Sequence, residues 1–372
     1  MINLYDDAIN RILVRVNETL DQVREEYPHF ADPETGLWTT TKSGDWTGGY
    51  WCGMLWLSSI ITNDDKYRER GKRWALRLEP RIQSDTVFKG FLFYYAWVLG
   101  HLLFKDEELR TLAHRGAKSL ANMYNRKAGI IPLGHEAEEA EKVGLGETNI
   151  DSLIPLPVLF WASKDLGRKE FYDIALNHAK KLMTFCVRED GSICQSATFD
   201  PNDGRMVKRY THKGYSEDST WARAQAWGIQ GFTLAYIYTR DAEFLDMAAK
   251  AADYFIDRLP DDRVPFYDFD DPRIPNVEKD TSAAAITASA MVKMAKLGKG
   301  EKYKVAAEEI VDSLIRNYLT PVSKEDKRPV GILTNGCYNK RIGLATKNEL
   351  IWGDYYLLEA LSLLSTKIKE VL

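Results

Sequence analysis

The chain has 372 residues, 45% of them hydrophobic and 28% charged, with a formal net charge of −4. This balance predicts a soluble globular protein with room for a sizeable core and argues against a nucleic-acid binder. No stretch approaches the roughly 20 apolar residues of a membrane span. The first residues lack the basic start and cleavage site of a signal peptide, and Cys52, Cys186, Cys194 and Cys337 form no C-x-x-C pair. A cytoplasmic protein without membrane contact is the expectation.

In chain order, charged amphipathic segments alternate with segments that are poor in charge and apolar nearly all round. The amphipathic ones are residues 3–26, "KYRERGKRWALRLEPRI", "DEELRTLAHRGAKSLANMYN", "KEFYDIALNHAKKLMTFCV", "DAEFLDMAAKAADYFIDRL" and "EKYKVAAEEIVDSLIRNYL", each with apolar residues at helical spacing. Interleaved with them are "WTGGYWCGMLWLSSIIT", "KGFLFYYAWVLGHLLF", "SLIPLPVLFWASKDL", "STWARAQAWGIQGFTLAYIY", "TSAAAITASAMVKMA" and "GDYYLLEALSLLSTKI". A helix apolar all round belongs inside. Six outer and six inner helices in strict alternation predict an all-α fold, an (α/α)6 barrel, with an open solenoid as the alternative. No linker divides residues 1–372, so one domain is expected. Strand signals are confined to "GSICQSATFD" and "RVPFYDF", and the polar stretches "GHEAEEAEKVGLGETN" and "PRIPNVEKD" read as long functional loops.

Polar residues recur at the starts of the inner segments: Asp45, Asp85, Asp151, Asp218, Asp280 and Asn348. Each suits a helix cap. In a closed ring the inner helices run parallel, so these groups would also crowd one mouth and meet a polar ligand there. Asp151 stands three residues after Thr148, as in a capping box, but Pro155 and Pro157 make a regular helix through it doubtful. A carboxyl among Ile150, Leu153 and aromatics would have a raised pKa, as a proton donor near neutral pH requires. Arg223 shares a helix face with Trp227. Its partner would be a carboxylate, Asp218 or Asp280, or else a substrate's carboxylate or hydroxyls. Phosphate-binding, dinucleotide-binding, zinc-protease and serine-hydrolase motifs are absent, and the six histidines show no metal-ligand pairing. What remains is a site free of metal and cofactor, built on carboxylates and aromatics, as sugars require.

The stretches "DWTGGYWCGMLWL", "NIDSLIPLPVLFWA", "DSTWARAQAWGIQGF", "YDFDDP", "DTSAAAITASA" and "IWGDYYLLEAL" resemble the unsaturated glucuronyl hydrolases of glycoside hydrolase family 88, close to end to end. The resemblance implies an (α/α)6 barrel that removes a 4,5-unsaturated uronic acid from oligosaccharides left by polysaccharide lyases. An aspartate, matching Asp151, protonates C4 of the enol ether and water adds at C5; the hemiketal opens and the glycosidic bond is lost. The sugar site would match Trp46, His212, Trp221, Arg223, Trp227 and Tyr338. The chain departs from the pattern at several of these places. Val87 and Phe88 occupy a His–Asp pair, which Asp85 would replace only if the helix start is rearranged. Gln195 stands for a histidine, Lys213 for a glutamine, Leu133 for a tryptophan and Asn339 for a histidine. These changes imply an altered sugar or linkage, with Lys213 and Arg223 jointly holding a carboxylate or sulfate. Two further readings stay open: a glycosidase on a saturated sugar, using Asp45, Asp85 or Asp218 as second carboxylate, and a carbohydrate-binding protein without turnover.

Overall fold

The structure is a computed structural model, described here for residues 4–137, 145–322 and 331–368. Among these residues twelve helices follow the predicted alternation. The outer ones are α1 (Leu4–Val23), α3 (Asp65–Arg77), α5 (Glu107–Ala121), α7 (Lys169–Cys186), α9 (Ala242–Asp257) and α11 (Glu301–Ser313). Aspartates begin several of them for a physical reason: Asp64, Asp106 and Asp241 accept the otherwise unbonded N–H groups of Lys66, Glu108 and Glu243.

The inner helices are α2 (Gly48–Thr62), α4, α6 (Leu156–Leu166), α8 (Ala222–Thr239), α10 (Thr281–Lys296) and α12 (Ile351–Leu364). Helix α4 is one run through Lys89–Leu92, a π-turned Phe93–Val98 and Leu99–Phe104. Each inner helix packs on the next, and α12 returns to α2. That contact closes the ring and excludes the open solenoid. Small residues permit the close approach: a side chain on Gly49 of α2 would meet the backbone of Phe91 and Leu92 at under 3 Å.

The barrel axis is filled by aromatics. Tyr50 and Tyr95 lie 4.4 Å apart, Tyr95 and Tyr355 4.9 Å, and Tyr95 is hydrogen-bonded to Tyr356. Two small antiparallel sheets sit outside the helices. One joins β1 (Tyr27–Ala31) to β2 (Trp38–Thr41) and β6 (Glu349–Leu350). The other joins β4 (Ser196–Phe199) to β3 (Glu147–Asn149) and β5 (Met206–Tyr210). The strand expected in "GSICQSATFD" is β4, whereas "RVPFYDF" makes only isolated bridges, Asp268 to Trp221 and Phe266 to Lys279. β1, β2, β3, β5 and β6 were not anticipated. Part of the loop "GHEAEEAEKVGLGETN", residues 138–144, lies outside the described residues.

Candidate active site

At the end of the barrel where the inner helices begin lies a cavity of about 410 Å³. Trp46, Phe88, Asp151, Lys213, Trp227 and Tyr338 line it together, drawn from six parts of the chain. The aromatic wall is continuous: Phe88 to Phe91 at 6.1 Å, Phe91 to Trp227 at 5.7 Å and to Trp46 at 5.5 Å. Trp46 Nε1 donates to the Tyr338 hydroxyl at 3.2 Å, and Lys213 Nζ stands 5.1 Å from the Tyr338 ring centre. Flat apolar faces beside a carboxylate and an ammonium suit a sugar ring that carries a charge.

Asp151 sits on a 3-10 turn, Ile150–Leu153, ahead of α6, as Pro155 and Pro157 demand. The turn is capped by Asn149, whose side chain accepts the Ser152 N–H at 3.2 Å; Thr148, the expected cap, instead bonds Ser152 Oγ at 3.0 Å. Ile150 donates its N–H to the Gln195 carbonyl at 2.8 Å. Behind the turn, His178 of α7 accepts the Ile131 N–H at Nδ1, which leaves its ring hydrogen on Nε2, 2.8 Å from Ser152 Oγ. Burial pushes His178 down to about 3, so it stays neutral and keeps this orientation. Asp151 is 8% exposed, well sheltered among the carboxylates of the cavity, since the side chains of Asp45 and Glu136 are 45% and 49% exposed.

Five expected site residues do not line the cavity. Arg223, on α8, is fully buried and its guanidinium is taken up inside the protein. Nη1 reaches Asp280 at 2.6 Å, Ser282 Oγ at 3.3 Å and the Cys337 carbonyl at 2.7 Å, while Nη2 bonds the Tyr338 carbonyl. The buried ion pair with Asp280 therefore holds, and Arg223 fixes the backbone of Tyr338 rather than reaching a ligand. Trp221 is stacked on it, 4.4 Å from the guanidinium. Asp218, the alternative partner, is exposed.

Gln195 is buried under the site, its Oε1 accepting the backbone N–H groups of His212 and Lys213 at 3.0 and 2.8 Å. It sets the position of Lys213 from below. His212 lies at the edge, its carbonyl accepting from Arg341 at 2.9 Å. Asp85 faces outward and clasps a loop: its carboxylate accepts from the backbone N–H of His135 and lies 2.6 Å from the His135 ring, while its own N–H donates to Glu136 at 2.9 Å. The His135 hydrogen bonds hold its carboxyl below the usual range. Asp85 thus does not take the place vacated at Phe88.

Sequence reasoning passed over His29, Phe30, Arg81, Thr86, Phe91, Glu136, Ile342 and Leu344 as cavity residues. Asp45, read from the sequence as a helix-start acid and as one candidate for a second carboxylate, also lines the cavity; its backbone is left-handed (φ 45°) and its carboxylate is 3.5 Å from His29. A non-glycine φ of that sign is uncommon, and the structure alone reveals it. Among the described residues no group of three or more His, Cys, Asp or Glu is placed to hold a metal ion.

Residues 14–365 match Glycosyl Hydrolase Family 88. The chain is 33% identical over 367 residues to an unsaturated glucuronyl hydrolase of Bacillus sp. (strain GL1), covering 96% of both. It is 31% identical to an unsaturated chondroitin disaccharide hydrolase of Streptococcus pyogenes serotype M1, covering 95% of this chain and 89% of the relative. The crystal structure of the Bacillus sp. GL1 enzyme superposes with a TM-score of 0.91 at 34% identity, over 97% of this chain and 96% of that one. A structure of an unsaturated glucuronyl hydrolase specific for heparin gives 0.90 at 28% identity, over 98% and 97%. With this barrel and this cavity, the protein is a glycoside hydrolase. It belongs to family 88, the unsaturated glucuronyl hydrolase family.

Proposed function

We propose that the cavity releases a 4,5-unsaturated uronic acid from the non-reducing end of lyase-generated oligosaccharides by hydrating its double bond. Asp151 delivers the proton to C4 and then takes one from the water that adds at C5. The hemiketal opens, and the hemiacetal left at C1 collapses to release the next sugar. Lys213 neutralises the uronate carboxylate, a task that Arg223 cannot share because Asp280 and two carbonyls occupy it. Trp46, Trp227 and Tyr338 stack on the ring, and Phe88, where relatives of the resembling family carry an acid, shifts the preference among sugars. The observation that carries this reading is the pairing of a sheltered carboxylate, Asp151, with a buried lysine in one aromatic-walled cavity. We assign residues 1–372 to one catalytic domain. We place the enzyme in the cytoplasm, where its four buried free thiols suit a reducing medium; no described helix is long and apolar enough to cross a membrane.

The test is a panel of unsaturated disaccharides and their saturated counterparts. Hydration predicts loss of the ultraviolet absorbance of the conjugated double bond, in step with release of the second sugar and with no cleavage of the saturated series. Cleavage of the saturated compounds would favour a second reading, in which Asp45, held by His29 in the same cavity, serves Asp151 as the second carboxylate.

A further inference from the structure

The cavity lining carries a second cation besides Lys213. Arg81, on the 3-10 turn Glu79–Gln83, lines the cavity beside Thr86, Phe88 and Glu136. Its side chain is only 17% exposed, and its Nε is buried without a hydrogen-bond acceptor. The guanidinium's ion pair is with Glu136, 3.8 Å from Nη1, too long for a hydrogen bond. Glu136 cannot readily tighten it. Its Oε1 is held by the Asp85 N–H at 2.9 Å, and its own N–H is committed to the Asp85 carbonyl, also at 2.9 Å. The Asp85–His135 contact fastens the same loop. A sheltered guanidinium with donors to spare, lining a sugar cavity and opposed, among the described residues, by one loosely placed carboxylate, is built to accept a planar or tetrahedral oxyanion.

Resting on the hydration reading, in which Lys213 takes the uronate carboxylate, we infer that Arg81 is a specificity-determining residue for the sugar that follows. It binds an oxyanion on that sugar, a sulfate ester or a carboxylate, and Glu136 competes with that anion for the guanidinium. The two residues then act with opposite sign on the choice between charged and neutral second sugars.

The experiment compares kcat/KM on unsaturated disaccharides whose second sugar is unsubstituted, sulfated or carboxylated, for the wild type, Arg81→Gln and Glu136→Gln. Arg81→Gln is expected to lower the ratio of charged to neutral substrate about tenfold, the weight of a charge-assisted contact. Glu136→Gln is expected to raise it about threefold by removing the competitor. The sulfated and carboxylated arms show which oxyanion is read. Ratios within about twofold of wild type in either variant, or shifts of the same sign in both, would overturn the inference while turnover persists. Absence of turnover by the wild type on every unsaturated substrate would instead overturn the hydration reading and this inference with it.

Discussion

Lys89 borders the cavity wall directly after Phe88 and is 2% exposed. Its ammonium donates to the Ser84 carbonyl and to Ser119 Oγ, both at 2.8 Å, which pins the 82–88 turn to α5. Burial pushes the amine down to about 8, with Asp85 and Glu136 opposing that shift and Arg81 adding to it. The ordinary value of a lysine is about 10.4. Between the two values the unfolded chain binds more protons than the folded one, so stability rises with pH through that window. The free energy of unfolding of the wild type, relative to Lys89→Met, is expected to rise by about 2–3 kcal/mol from about pH 7.5 to about pH 10. Denaturant titrations at the two ends measure it, and a difference that stays flat would show that Lys89 keeps its solution behaviour. Nothing in the sequence announced this lysine, because its partners are a carbonyl and a hydroxyl from segments 5 and 30 residues away.

The twelve helices were readable because burial on one face or on all faces leaves a direct trace in the spacing of apolar residues. Short strands leave none: β1 is five residues long and contains Pro28 and His29, so no alternation stood out. The cost falls on the site, since His29 and Phe30 reach the cavity from β1. How one element presses on another was equally hidden. Gly231 of α8 faces the Asp151 turn so closely that a side-chain carbon there would lie 2.4 Å from Leu153 Cβ. Gly231→Ala is therefore expected to cost about 1–3 kcal/mol of stability through overpacking. Because Leu153 is two residues from Asp151, it should also lower kcat more than it raises KM. Paired denaturation and steady-state kinetics check this; a variant as stable as wild type with unchanged kcat would show that the turn yields without disturbing its carboxylate.

The whole molecule turns six parallel inner helices into one mouth. That explains why Trp46, Phe88, Asp151, Trp227 and Tyr338, separated by nearly 300 residues of chain, meet in one cavity. Asp151 and the aromatic walls were legible because they sit in recognisable stretches at inner-helix starts. The roles of Arg223, Gln195 and Asp85 were not, since a buried arginine and a ligand-binding one look alike in sequence. Only the positions of Asp280, of the Tyr338 carbonyl and of the His212–Lys213 backbone separate them. Proton transfer by Asp151 is the step on which the proposed hydration turns. Its most direct measurement follows the ultraviolet absorbance of an unsaturated disaccharide that the wild type turns over, with Asp151→Asn alongside and circular dichroism as the check on folding. A folded variant whose rate of absorbance loss is at least about 100-fold lower is expected, as when a general acid is removed. A folded Asp151→Asn enzyme that consumes the double bond at the wild-type rate would contradict it.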